Sequence, residues 1–176
     1  MSDDALALLA ATAAAFTALI FARAAWHKLS DFAGFTGFVS DYRLVPEPMV
    51  KTVAAVLVAI EIAIPVALLI PGAQPVGAAL AILLLALYGA AMGVNIARGR
   101  TSIECGCGGA PSLLSPALLV RNGVLALIAA AVLFGNSFSL GFGEAVAAIA
   151  LAFLLWVSFL LAEQILANGM HARHVR

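Results

Sequence analysis

The 176-residue chain carries very little charge: lysine, arginine, aspartate and glutamate together make up 10% of it. A soluble domain usually carries roughly a quarter, so a water-exposed globular surface is excluded. Basic and acidic residues number nine each, so no excess charge of either sign marks a nucleic-acid surface or an acidic soluble partner. Histidine is scarce, and His27, His171 and His174 lie in other segments than the cysteines; no metal site is read from them. A cleavable signal is not read either. Asp3 and Asp4 stand where a basic region would precede it, so the first apolar run is expected to be retained. The alternating pattern of a membrane barrel strand is also missing.

What remains is hydrophobic sequence, 64% of the chain, with a mean hydropathy of +1.11. Five runs are long enough to cross roughly 30 Å of hydrocarbon as helices. They cover about residues 4 to 28, 49 to 71, 75 to 98, 115 to 135 and 142 to 167. The chain is therefore predicted to be an all-α membrane protein with five transmembrane helices in one integral membrane domain over residues 1 to 176. Trp26, His27 and Lys28 suit the end of the first span, where a ring or an ammonium reaches headgroups. From 31 to 42, Phe32, Phe35, Phe38, Val39 and Tyr42 recur at helical spacing, predicting a short helix on the membrane interface or packed on neighbouring spans. Pro46 and Pro48 end it. Spans two and three are joined by the tight Pro71-Gly72-Ala73-Gln74-Pro75 turn, and spans four and five through Gly135-Asn136-Ser137. Only the first and third connections are roomy, and alternation places both on one side.

The two cysteines, Cys105 and Cys107, sit in the third connection within Glu104-Cys105-Gly106-Cys107-Gly108-Gly109. Small neighbours give access, and Gly106 allows the backbone to bend far enough for the two sulfurs to join. That ring is smaller than the one in Cys-x-x-Cys. It is expected to be strained, and strained exposed disulfides exchange readily. Thiol–disulfide exchange is the leading reading; a soft-metal site and inert loop cysteines stand beside it. Inside the spans, Glu61 is costly unless protonated, hydrogen-bonded or paired. Its candidate partners are Arg23 and Arg121, and its role is either a structural clamp between helices or a part in proton handling or a ligand pocket. Arg121 and Asn122, early in span four, could also favour a thiolate.

Several of these residues carry a resemblance. Ala24-Ala25-Trp26-His27-Lys28-Leu29, Asp31-Phe32-Ala33-Gly34-Phe35, Asp41-Tyr42-Arg43-Leu44-Val45-Pro46, Glu61 and the Cys105-Gly106-Cys107-Gly108-Gly109 loop together resemble the MauE family of methylamine utilisation proteins. These are relatives of DoxX-like membrane proteins. Gly109 departs from the pattern, which has an aromatic residue in that region. The resemblance implies a four-helix bundle plus one helix, similar to the core of vitamin K epoxide reductase. It also implies a part in maturing the disulfide-rich small subunit of methylamine dehydrogenase, with Cys105 and Cys107 exchanging with a thioredoxin-like periplasmic partner, MauD. The more distant reductase comparison adds a quinone as electron acceptor.

The resemblance implies an inner-membrane protein with its cysteine loop facing the periplasm. The basic residues pull the other way, because all nine fall around the first and third connections or the C-terminal tail, a side that the positive-inside rule makes cytoplasmic. The periplasmic loop is the orientation adopted. A small transporter or soft-metal handler, with Glu61, Arg23 and Arg121 lining a path, and a non-catalytic membrane anchor are the competing functions.

Overall fold

The computed structural model describes residues 3–106, 113–135 and 140–174, without the side chains of 166–174. Helix α1 spans Asp3–Ser30, α2 Phe32–Asp41, α3 Val50–Leu69, α4 Gln74–Ala97, α5 Pro116–Ala131 and α6 Phe142–His174. One-turn 3₁₀ segments, Glu47–Met49 and Val132–Phe134, lead into α3 and extend α5. Five of these helices are long and apolar enough to cross a membrane, all but α2. Helices satisfy every interior backbone group within one segment, which a lipid-exposed loop cannot do.

Helix α1 runs through the middle and touches α2, α3, α4, α5 and α6. Its buried face is built largely from Ala10, Ala13, Ala14, Ala18 and Ala25. Small side chains let neighbouring backbones come close, so dispersion rather than hydrophobic drive holds the helices together. Among the other spans, α3 packs on α4 and α4 on α5, while α6 lies mainly against α1. Helices α3 and α4 form a tight antiparallel pair. A Cβ on Gly77 would stand 2.9 Å from the backbone nitrogen of Leu68, so only glycine permits this approach. The tip of the connection between α5 and α6, Asn136 and Ser137, lies outside the described residues.

Helix α2 begins with Asp31, whose carboxylate accepts a hydrogen bond from the Gly34 amide at 2.8 Å. Its aromatic stripe turns inward: Phe35 is buried among α3 residues Ala54 and Val58, with Phe32, Phe38 and Val39 packed alongside. Beyond its C-terminus, Arg43 has φ +49°, in the left-handed region. That single residue reverses the chain so that Tyr42, Leu44 and Val45 all face one chamber.

Candidate functional site

The third connection is pinned at both ends. Ile103 and Glu104 meet Leu113 and Leu114 in an isolated antiparallel bridge, with the Leu114 amide donating to the Ile103 carbonyl at 3.1 Å. Arg100 fastens the approach to α2. Its guanidinium donates to the Asp41 carbonyl at 2.8 Å, the Tyr42 carbonyl at 3.3 Å and Asn95 Oδ1 at 3.0 Å, giving partners to carbonyls left open at the helix end. Tyr42 then donates its hydroxyl to the Cys105 carbonyl at 3.1 Å. Burial pushes the Tyr42 phenol up to about 12, against an opposing pull from the Arg121 charge, so this donor keeps its proton through neutral pH.

Cys105 is buried and disulfide-bonded; the chain's other cysteine, Cys107, lies outside the described residues, as does Gly108. Cys105 Sγ rests 3.7 Å from Met92 Sδ. A disulfide sulfur has no hydrogen to donate, so this is a van der Waals contact between soft atoms. Gly106 has φ +67°, and a Cβ there would meet Phe38 Cβ at 3.0 Å. Two constraints therefore demand glycine. Gly106→Ala is expected to destabilise the protein by about 1–2 kcal/mol from the left-handed backbone alone, read as a lower unfolding temperature of the full chain in detergent. Glu104 is exposed.

Cys105 and Gly106 sit at the edge of a half-open chamber of about 290 Å³, whose wall is otherwise apolar but for the tyrosines Tyr42 and Tyr88. Behind Tyr88 lies a buried ionic cluster. Lys28 donates to Glu61 Oε1, Tyr88 donates to the same oxygen at 2.7 Å, and the Lys28 ammonium stands 3.4 Å from the Tyr88 hydroxyl. That ammonium also lies over the Phe35 and Tyr88 rings, 4.9 and 5.0 Å from their centroids. Pro65 follows Glu61 by one helical turn in α3 and brings no amide to the Glu61 carbonyl, which loosens the helix at this carboxylate.

Two sequence readings are corrected here. Lys28 does not reach the headgroups; its side chain is 3% exposed, because a carboxylate inside the bundle is the stronger partner. Glu61 is paired with Lys28 rather than with Arg23 or Arg121. Those arginines instead share Glu163 of α6, Arg23 at 3.3 Å and Arg121 at 2.8 Å, on separate carboxylate oxygens. Arg121 also donates to Asn122 Oδ1 at 3.4 Å, and Asn122 donates to the Leu85 carbonyl at 3.3 Å. Glu61, Arg23, Arg121 and Asn122 nevertheless come together, lining a second, small chamber of about 40 Å³ with Tyr88 and Glu163. Lys28, Tyr88 and Glu163 were missed. Glu163 offered the same signal as Glu61, an ionisable residue inside an apolar run; Tyr88 offered none beyond a lone hydroxyl in span three.

The geometry defines a multi-pass α-helical membrane protein in which a disulfide-bonded cysteine borders an apolar chamber, with a buried ion-pair network on the far side of one tyrosine. The chain belongs to the MauE family: the family model described as Methylamine utilisation protein MauE matches residues 6–135. Relatives named Methylamine utilization protein MauE are similar to it. The one from Paracoccus denitrificans is 41% identical over 68% of this chain and 66% of its own length. Those from Methylorubrum extorquens and Methylophilus methylotrophus are 40% and 37% identical, over 65% and 71% of this chain and 63% of their own lengths. The chain thus matches a little under two thirds of its relatives' lengths. No solved structure matches.

Proposed function

We propose that this protein is a membrane thiol–disulfide oxidoreductase of methylamine utilisation, whose Cys105–Cys107 pair exchanges with a thioredoxin-like, MauD-like periplasmic protein during maturation of the methylamine dehydrogenase small subunit. The observation that carries the reading is the setting of Cys105: disulfide-bonded, held by the Tyr42 hydrogen bond, and seated at the edge of an apolar chamber. The relatives' names support the pathway. Four spans packed together with α6 outside against α1 support a DoxX-like bundle.

On this reading the protein is in the bacterial inner membrane with the cysteine loop in the periplasm. Arg23, Lys28, Arg100 and Arg121 are committed to protein partners, so they are not free loop charges of the kind the positive-inside rule counts. In the chemistry, Cys105 and Cys107 accept or donate the electron pair as their S–S bond breaks or forms, and Tyr42 steadies the backbone beside the reacting sulfur. The quinone implied by the reductase comparison finds fitting residues in the chamber, apolar walls and a tyrosine hydroxyl; when bound it would supply a two-electron acceptor soluble in the membrane.

A double Cys105→Ala/Cys107→Ala variant tests the proposal in a methylamine-grown host lacking its own copy. It is expected to leave the small subunit without its full set of disulfides, with loss of most dehydrogenase activity. Normal maturation with the double variant would contradict the redox reading and favour a non-catalytic anchor. A second reading, soft-metal handling, applies to the reduced pair, where a Cys105 thiolate beside the Met92 thioether would suit copper(I). Tight copper(I) binding lost with the cysteines would support it.

A further inference from the structure

Tyr88 is a wall of both chambers. On one side it faces the apolar space that Cys105 and Gly106 border; on the other it faces the small polar space lined by Glu61 and Arg121. In that polar space two buried side-chain atoms lack a hydrogen-bond partner among the described residues, Glu61 Oε2 and Arg121 Nε. One is an acceptor and the other a donor. The space is large enough for ordered water, which needs roughly 10–15 Å³ and two or more polar partners, and a water accepting from Arg121 and donating to Glu61 satisfies both. Glu61 and Tyr88 line this space together with Arg121, Arg23 and Glu163. Across this network three cationic side chains meet two carboxylates, one positive charge in excess.

An apolar chamber beside a disulfide, with a phenol on its wall and excess positive charge behind that phenol, suits a particular kind of ligand. It should be apolar, carry a carbonyl oxygen able to accept a hydrogen bond, and gain negative charge or protons when reduced. The volume admits a substituted ring, and the exposed rim residues Leu44 and Leu87 leave a route for an apolar tail into lipid. Tyr88 can turn its hydrogen toward such a ligand without unpairing Glu61, because Glu61 Oε1 keeps the hydrogen bond from Lys28.

We propose that Tyr88 is the hydrogen-bond donor to a quinone-class carbonyl in the chamber beside Cys105, with Lys28 and Glu61 holding its phenol in place. The proposal rests on the redox reading of the cysteine pair. In net terms the dithiol loses two electrons and two protons as its S–S bond forms, and the quinone takes up two electrons and two protons to become the quinol. Lys28 and Glu61 are positioning residues; they hold the phenol.

The test uses the full chain in lipid nanodiscs and a short-chain benzoquinone with ¹³C-labelled carbonyls, followed by infrared difference spectroscopy and a binding isotherm. The wild type is expected to show a bound carbonyl band shifted below that of the free quinone. Tyr88→Phe should abolish the shift and weaken binding about tenfold, the equivalent of one hydrogen bond. Val53→Trp, which fills the chamber wall without touching the buried cluster, should remove the bound band altogether. An unshifted carbonyl in the wild type, or the same band and affinity in Tyr88→Phe, would overturn the proposal. So would a bound band that survives Val53→Trp. Binding is read with the cysteines replaced by alanine as well, so failure of the quinone site and failure of the cysteine chemistry are seen separately.

Discussion

Glu61→Ala in the presence of Lys28 is expected to destabilise the protein by roughly 3–5 kcal/mol, whereas Lys28→Met/Glu61→Leu should recover most of that loss. Both side chains are almost wholly buried, at 3% and 1% exposure, deep in an apolar bundle. Among the described residues, removing the carboxylate leaves the ammonium with the Tyr88 hydroxyl and two ring faces, and neither replaces an anion. Removing both charges takes away the desolvation penalty together with the attraction, which is why the double variant is the milder one. The measurement is thermal unfolding of the full chain in detergent for both single variants, the double variant and the wild type. Additive losses would mean that the two residues do not act as a pair.

Under the proposed function, Cys105→Ala is expected to trap a mixed disulfide with a thioredoxin-like protein on the order of tenfold more abundantly than Cys107→Ala. Which sulfur is attacked depends on access as well as on thiolate character. Cys105 is 8% exposed and packs against Met92, Leu114 and Leu118. A protein-borne thiolate has little room to approach it, so under the proposed function Cys105 is expected to be the resolving cysteine and Cys107 the one that meets the partner. With Cys105 gone, a bond between Cys107 and the partner has no resolving thiol and persists. Non-reducing electrophoresis of membranes from the two single variants reads the ratio directly, and equal trapping would contradict the assignment.

The five spanning helices were legible because length and hydropathy alone determine them. The residues that give the bundle its interior chemistry were only partly so. Glu61 stood out as a carboxylate in an apolar run, yet its partner was misassigned because sequence order does not say which neighbouring helix carries the nearest cation. Lys28 sits at the end of a span, where lysine usually reaches outward, and only the packing of α1 against α3 and α4 turns it in. The aromatic stripe from Phe32 to Tyr42 marked a helix, but not that its inner face would close a chamber against Tyr88 and Cys105. That closure depends on the left-handed turn at Arg43 and the Arg100 clamp, and neither has a periodic signature. Among the charged groups, Glu163 was as visible as Glu61 and was passed over.

Under the proposed function, Cys105 and Cys107 form a reversible redox pair. Its most direct measurement is equilibration of the full chain, in detergent, with glutathione buffers from fully reducing to fully oxidising, followed by alkylation and intact-mass analysis. The expected result is a single reversible transition between a species with both cysteines alkylated and one with neither, within the range that the buffers span. A pair that stays fully alkylated or fully unreactive across the whole series would contradict it.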